Sequence, residues 1–164
     1  MVSLMTRFPA VRLTNPVHFL ALGGGLGLAP KAPGTFGTLA AFPLYWVMQD
    51  WSLFPYLMTL ILFSALGIYL CGKTAEDMGV HDHPAIVWDE VVGMLITLIA
   101  APAGWHWLVI GFALFRLFDI WKPWPIRFFD KQMEGGLGIM VDDILAGLFA
   151  LVWLQALARI FPDL

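Results

Sequence analysis

One stretch of the sequence restricts the fold more than any other: residues 51–72 contain no charged side chain. Crossing the hydrocarbon core of a bilayer takes about 20 helical residues, so this stretch predicts a membrane-spanning helix with Pro55 in its first turn. The composition agrees, because 60% of the chain is hydrophobic and only 13% is charged. In soluble domains roughly half of the residues are hydrophobic and about a quarter are charged. We therefore expect a membrane protein, and the formal charge of -3 gives no indication of a nucleic-acid partner.

Three further stretches are uncharged and apolar enough to form membrane helices: residues 32–49, 91–115 and 144–158. The middle stretch contains Pro102 and Gly104, which break or kink helices, so it forms either one kinked span or a hairpin of two short helices. The predicted fold class is all-α. We expect a compact multi-helix bundle embedded in the membrane, with short or re-entrant helices, as a single domain over residues 1–164.

The positive charges favour the hairpin, because lysine and arginine are enriched on the cytoplasmic side of membrane proteins. Neither residue type occurs near residues 50–52 or within residues 102–106. The alternate side carries Arg7, Arg12, Lys31, Lys73, Arg116, Lys122, Arg127 and Lys131. We therefore predict a multi-pass protein whose two charged clusters, residues 73–90 and 116–143, both face the cytoplasm. Pro9 and the arginines around it interrupt the N-terminus, so no cleavable signal peptide is expected.

Two adjacent acidic pairs, Asp89–Glu90 and Asp142–Asp143, precede apolar stretches, and each pair is predicted to begin a helix. Four carboxylates on one membrane face repel one another unless a cation lies between them, and oxygen ligands suit Mg²⁺. The alternative is that the acids only cap their helices. We favour the metal site, because burying two charged pairs beside membrane segments is costly. Which carboxylates touch the metal stays open, since neighbouring helical residues diverge by about 100°.

A third polar group, Arg116, Asp119 and Lys122, recurs every three positions and so shares one face of a predicted helix. Such a face is able to hold both phosphate and metal. A ladder of ion pairs within the helix is an equally good interpretation of the spacing. Pro123 is expected to end the helix at Lys122, which places the ammonium group near the lipid headgroups.

Residues 23–38 are rich in glycine and proline and precede an apolar stretch. Glycines let backbone N–H groups approach an anion, and a helix beginning near Thr35 adds its positive end. Lys31, Gly34 and Thr35 are therefore predicted to bind phosphate. The alternative is a close-packed or re-entrant segment that binds no ligand.

Other polar residues are weaker candidates. Glu76 and Asp77 are second-rank candidates for the metal shell, whereas residues 81–83, His-Asp-His, are more typical of a polar loop. The glycines within residues 135–138 are interpreted as a flexible approach to the second acidic pair or as an ordinary turn. Cys71 is the only cysteine, so a disulfide within the chain is excluded.

Four ordered motifs closely resemble the phosphatidylglycerophosphatase A family, and together they cover most of the chain. They are GLG at 25–27 with APGTFGT at 32–38, IVWDE at 86–90 with Gly93, FRLFDIWKP at 115–123, and GGLGIMVDD at 135–143 with Gly147. The resemblance implies a compact all-helical enzyme of the bacterial cytoplasmic (inner) membrane. It further implies Mg²⁺-dependent hydrolysis of phosphatidylglycerophosphate to phosphatidylglycerol and phosphate, with a phospholipid substrate and no nucleic acid.

The residues are assigned roles for that reaction as hypotheses. The predicted metal ligands are Asp89, Glu90, Asp142 and Asp143. The predicted catalytic residues are Asp89, Asp119, Asp142 and Asp143, with Asp119 taking a proton. Phosphate oxygens are expected to be bound by Lys31, Arg116 and Lys122, because phosphoryl transfer depends on positioning and charge neutralisation. Direct attack by water is favoured over a phospho-aspartate intermediate, since no DxDxT pattern occurs.

Two other functional classes compete with the phosphatase. A headgroup transferase acting on CDP-alcohols is expected to carry a DGxxAR-type run, which this sequence lacks. Within the phosphatases, the acid phosphatases that use a histidine nucleophile need a PSGH-like motif, which this sequence also lacks. A cation transporter or channel usually holds its acids near the bilayer midplane rather than at the interface. The predicted helix-end positions of the acids therefore favour an interfacial enzyme.

Overall fold

The chain folds into helices in the computed structural model, which describes residues 10–162 apart from the side chain of Lys131. Arg7, used in the topology prediction, and Pro9, used in the signal-peptide prediction, lie outside that range. The described chain contains a 3-10 helix, Gly23–Leu28, after the first of eight α-helices. The α-helices are α1 (Pro16–Ala21), α2 (Pro33–Leu39), α3 (Ala41–Met48), α4 (Leu53–Met78), α5 (Trp88–Thr97), α6 (Trp105–Trp121), α7 (Ile126–Gln132) and α8 (Gly135–Ile160). The predicted all-α class is confirmed.

Two of these helices, α4 and α8, are long and apolar enough to cross a membrane. Each has 26 residues, which at about 1.5 Å per residue exceeds the bilayer core of about 30 Å. Their most apolar windows have mean hydropathies of 1.9 and 2.0, yet only 22% and 44% of those windows is buried in the protein. Phe54 and Val152 are among the apolar side chains left on the outside. An apolar outer surface on such helices is typical of a lipid-facing bundle.

Helix α8 is the centre of the bundle and packs against α4, α5, α6 and α7. Glycines permit the closest approaches. A Cβ atom added to Gly136 would lie 1.8 Å from the carbonyl oxygen of Ile68 on α4, and one added to Gly147 would lie 2.4 Å from that of Gly93 on α5. These positions require glycine because the backbones touch directly, as small residues allow in membrane helices. Gly93 and Gly147, one from each acidic motif, therefore hold the two acidic helices together.

The predicted break around Pro102 is present. Helix α5 ends at Thr97, and α6 begins at Trp105 after a turn in which Ala100 and Gly104 have positive φ angles. Gln155 of α8 donates through Nε2 to the carbonyl oxygens of Ile99 and Ala100, both at 2.9 Å, which satisfies part of the exposed backbone. The turn returns the chain, so the start of α5 and the end of α6 lie at the same end of the bundle.

Two expectations about helix limits were wrong. Residues 32–49 do not form one helix, because α2 ends at Leu39 and α3 begins at Ala41. Pro43, in the first turn of α3, has no N–H to donate to the preceding turn, so the hydrogen-bond ladder cannot continue across it.

The second acidic pair does not begin its helix. Helix α8 starts at Gly135, which places Asp142 and Asp143 about two turns inside it. The glycine-rich residues before the pair are helical because Gly136 and Gly138 pack on the backbones of Ile68 and Met133. A helical glycine selected for close packing therefore has the same appearance in the sequence as a flexible one.

Candidate active site

Three carboxylates from two helices meet where α5 begins. Asp89 and Glu90 occupy the first turn of α5, and Asp143 lies on α8. One oxygen from each lies within 4.8 Å of the other two. Asp89 is 9% exposed and Asp143 only 3%. The structure thus brings three of the four predicted metal ligands into one buried group.

The start of α5 is fixed by contacts that do not involve the acids. The N–H of Val87 donates to the carbonyl oxygen of Ala21 at 2.8 Å, which ties the helix to α1. The indole N–H of Trp88 donates to the carbonyl oxygen of Phe63 on α4 at 3.1 Å, and the two rings pack edge to face. These anchors leave the side chains of Asp89 and Glu90 directed towards α8, where Asp143 lies.

Arg116 and Asp119 on α6 extend the group. Nη1 of Arg116 donates to Oδ2 of Asp119 at 2.5 Å and lies 3.8 Å from Oε1 of Glu90. Asp119 also neighbours Asp143. Nε of Arg116 is buried and has no hydrogen-bond partner among the described residues. The predicted helix face therefore contains an ion pair within the helix, between Arg116 and Asp119. Arg116 also lies close to Glu90 on α5, and its Nε–H has no partner among the described residues.

Asp142 has a different neighbour from the other three acids. Nζ of Lys122 donates to Oδ2 of Asp142 at 2.5 Å and to Oδ1 of Asp130 at 2.6 Å. Burial lowers the pKa of Lys122, but the two carboxylates outweigh burial and raise the pKa above its ordinary value. Lys122 adopts a left-handed conformation just after α6, which is uncommon for a residue other than glycine. Asp142 is thus held as an ion pair beside the three-carboxylate group.

The glycine- and proline-rich segment reaches the same site through one residue. A Cβ atom on Gly34 would lie 2.3 Å from Oε1 of Glu90 and 3.0 Å from Nη1 of Arg116, so α2 packs directly on that pair. Thr35 is half-buried on the next position of α2. Lys31 is exposed, and it forms no ion pair with any residue between positions 10 and 162. Of the three residues predicted here, Gly34 packs against the site, whereas Lys31 forms no ion pair with the described site carboxylates.

The sequence matches known proteins along most of its length. The family model of phosphatidylglycerophosphatase A matches residues 19–158. The chain is 52% identical over 143 residues to phosphatidylglycerophosphatase A of Escherichia coli, covering 85% of this chain and 82% of that protein. This chain belongs to the phosphatidylglycerophosphatase A family. The predicted family and the predicted class of enzyme, a phosphatase, are confirmed.

Other relatives of the family show how far the similarity extends. A phosphatidylglycerophosphatase A of Haemophilus influenzae is 50% identical over 144 residues, covering 87% of this chain and 88% of that protein. A putative phosphatidylinositol-3-phosphatase of Bacteroides thetaiotaomicron is 39% identical over 150 residues, covering 85% and 91%. No solved structure matches the chain.

The electrostatics of the site are dominated by negative charge. Burial raises the pKa of Asp89, and the neighbouring Glu90 raises it further; burial and Asp143 likewise raise the pKa of Glu90. The described site has two basic residues, Arg116 and Lys122. Its six carboxylates are those of Asp89, Glu90, Asp119, Asp130, Asp142 and Asp143. Acidic groups therefore outnumber basic groups in the described site.

The weaker candidates lie elsewhere. Oδ2 of Asp77 lies 2.9 Å from Nε2 of His18, and Nζ of Lys73 donates to Oδ1 of Asp77 at 2.7 Å. Asp77 is thereby engaged away from the three-carboxylate group. Nδ1 of His83 accepts from the N–H of Ala85 at 3.1 Å within a loop. The residue that the sequence interpretation missed is Asp130, whose pairing with Lys122 depends on a chain reversal that periodicity does not show.

Proposed function

We propose that this protein hydrolyses phosphatidylglycerophosphate to phosphatidylglycerol and phosphate in a Mg²⁺-dependent reaction at the cytoplasmic membrane face. The observation that carries the proposal is the buried group of Asp89, Glu90 and Asp143 beside a guanidinium with an unused N–H. Two relatives that are 50% and 52% identical are named for this activity. The third relative is named for a different lipid phosphate, so the headgroup needs a direct test.

The residues fit a divalent cation. Oδ1 of Asp89 and Oε2 of Glu90 are buried and have no hydrogen-bond partner among the described residues, which is costly for a carboxylate. An oxygen-only donor set suits Mg²⁺ better than a softer metal. We assign Asp89, Glu90 and Asp143 as the residues that hold the ion, with Asp142 beside them. Bound there, Mg²⁺ supplies the missing positive charge and polarises the phosphate ester.

The basic residues position the phosphate. Nε of Arg116 has no hydrogen-bond partner among the described residues, and we assign Arg116 to bind a phosphate oxygen. Lys122 forms ion pairs with Asp142 and Asp130 and so offsets part of the negative charge at the edge of the site. A charged donor fixed before the substrate arrives stabilises the charge on the transferred phosphoryl group without reorganisation.

Asp119 is assigned as the group that takes the proton from the attacking water. Its Oδ2 accepts from Arg116, and its carboxyl group neighbours Asp143, so it lies between the phosphate-binding donor and the acidic group. Phosphate leaves as inorganic phosphate when water attacks phosphorus and the bond to the glycerol oxygen breaks. That glycerol oxygen takes up a proton from solvent, phosphatidylglycerol is released, and Asp119 returns its proton to solvent.

The orientation is proposed from the positive charges. Described residues at the site end of the bundle include Lys73, Arg116, Lys122 and Arg127, whereas the opposite end carries Arg159 in the last turn of α8. The excess of Lys and Arg at the site end favours the cytoplasm for that end. We propose that α4 and α8 cross the inner membrane of a bacterium and that the acidic group faces the cytoplasm.

The test is phosphate release by the purified protein in detergent from three lipids: phosphatidylglycerophosphate, phosphatidic acid and phosphatidylinositol 3-phosphate. Each is assayed with Mg²⁺, with EDTA, and with EDTA followed by excess Mg²⁺. We expect release from the first lipid to exceed the others, to stop with EDTA and to return with Mg²⁺. Equal rates on all three lipids overturn the headgroup assignment, and full activity in EDTA overturns the metal assignment.

A further inference from the structure

A groove of 580 Å³ lies beside the acidic site and combines aromatic walls with positive charge. It is lined by Trp121, Lys122, Pro123, Trp124, Arg127 and Phe128. Both tryptophans are largely exposed to the surroundings, Trp121 by 68% and Trp124 by 82%. Amphipathic rings with this exposure are typical of the lipid headgroup layer. The groove therefore combines apolar surface with two basic side chains, Lys122 and Arg127.

Lys122 connects the groove to the acidic site. Its side chain lines the groove while its ammonium group bonds Asp142, the neighbour of Asp143 in α8. A molecule whose phosphate lies at the carboxylate group is thus able to continue past Lys122 into the groove. The two places are adjacent parts of one surface.

Arg127 is the available cation of the groove. The charge of Lys122 is engaged by two carboxylates at 2.5 and 2.6 Å. Arg127, the second residue of α7, is exposed and forms no ion pair with any other side chain that the structure describes. A guanidinium in this setting is well suited to bind a phosphate in a bidentate way.

We infer that this groove binds the phosphodiester of the substrate and that Arg127 is a specificity-determining residue. The inference rests on the proposed function. Phosphatidylglycerophosphate carries two phosphates: a terminal monoester, which reacts, and a phosphodiester, which joins the headgroup glycerol to diacylglycerol. With the monoester at the carboxylate group, Arg127 meets the diester, and the rings of Trp121 and Trp124 flank the adjoining glycerol and the start of the acyl chains.

The two products separate the two halves of the site. Phosphatidylglycerol keeps the phosphodiester and lacks the monoester, whereas inorganic phosphate represents the monoester alone. Inhibition constants of both are measured with full-length protein in detergent, for wild type, Arg127→Ala, Arg127→Lys and the control Arg159→Ala. Arg159 is also an exposed arginine, and it lies at the far end of α8, 16 residues from Asp143.

We expect Arg127→Ala to raise the KM for phosphatidylglycerophosphate and the inhibition constant of phosphatidylglycerol about tenfold, which corresponds to about 1.4 kcal/mol. The inhibition constant of inorganic phosphate and kcat stay within about twofold, as for loss of a contact made equally in ground and transition states. Arg127→Lys recovers part of the affinity, and Arg159→Ala changes nothing. An equal rise for both products, or no rise for phosphatidylglycerol, overturns the inference.

A binding measurement keeps the inference separate from the proposed function. Native mass spectrometry compares retention of phosphatidylglycerol and of diacylglycerol, which lacks the phosphodiester, by wild type and Arg127→Ala. Selective retention of phosphatidylglycerol that is lost in the variant supports the groove even if phosphatidylglycerophosphate is not hydrolysed. Equal retention by both proteins overturns the groove, whatever the activity assay shows.

Discussion

Replacing Gly34 by alanine tests whether α2 is part of the active site. The added Cβ would lie 2.3 Å from Oε1 of Glu90 and 3.0 Å from Nη1 of Arg116. An ordinary contact begins at 3.4 Å, so the Glu90 oxygen and α2 must separate by about 1.1 Å. A misplacement of about 1 Å near reacting groups costs about 100-fold in rate. We therefore expect kcat of Gly34→Ala to fall by about two orders of magnitude.

Stability is expected to respond differently from activity. Alanine favours a helix over glycine by about 1 kcal/mol, which offsets part of the repulsion at the new contact. The melting temperature in detergent should stay within about 4 °C of wild type. The assay is phosphate release per folded molecule, with folding followed by circular dichroism during heating.

A matched glycine variant serves as the control. Gly111→Ala places its Cβ 3.1 Å from Cδ2 of Leu98, the far end of a flexible side chain on another part of the bundle. Its kcat should remain within about twofold of wild type. A folded Gly34→Ala protein with wild-type kcat would refute the reasoning that this glycine sets the position of Glu90 and Arg116.

Three further substitutions separate site contacts from packing contacts. Lys122→Ala leaves Asp142 and Asp130 unpaired. We expect the variant to lose about 1–3 kcal/mol of unfolding free energy and also to lose activity. A melting temperature equal to that of wild type would contradict this pairing. His18→Phe removes the contact with Asp77 and the acceptor for the N–H of Arg12 at 3.0 Å. The melting temperature should therefore fall while kcat per folded molecule is retained. A selective loss of kcat would point instead to a role in the site. Gly136→Ala adds a Cβ at 1.8 Å from the backbone of α4, so it should abolish stable folding in detergent. A normal yield and a normal melting temperature would contradict the close contact of α4 and α8.

The sequence predicts best those features that a few neighbouring residues decide. The uncharged stretch 51–72 becomes α4 because an apolar run of that length has few other stable environments. Pro102 and Gly104 mark a break because proline and glycine act through their own backbone. The acidic motifs converge because the resulting hairpin returns the chain to the same end of the bundle.

Features decided by tertiary contact were predicted less well. The predicted start of α8 was wrong because glycine usually weakens a helix, so the glycines were not assigned to it. Only the contact with the backbone of Ile68 shows that Gly136 is required there. The pairing of Lys122 with Asp130 lies across residues 123–125, where helical periodicity gives no information. The contact of Gly34 with Arg116 joins residues distant in sequence, so the glycine-rich segment predicted an anion site without showing which residues it touches.

The most direct test of the central proposal measures metal binding and catalysis in the same protein. Binding of Mn²⁺, a spectroscopic substitute for Mg²⁺, is followed by electron paramagnetic resonance alongside phosphate release, for wild type, Asp143→Asn and Asp50→Asn. Asp50 is an exposed aspartate at the opposite end of the bundle and serves as the matched control. We expect Asp143→Asn to lose both metal affinity and activity by at least about tenfold while Asp50→Asn keeps both. A folded Asp143→Asn protein that binds Mn²⁺ and releases phosphate like wild type contradicts the proposal that this carboxylate group is the metal-dependent active site.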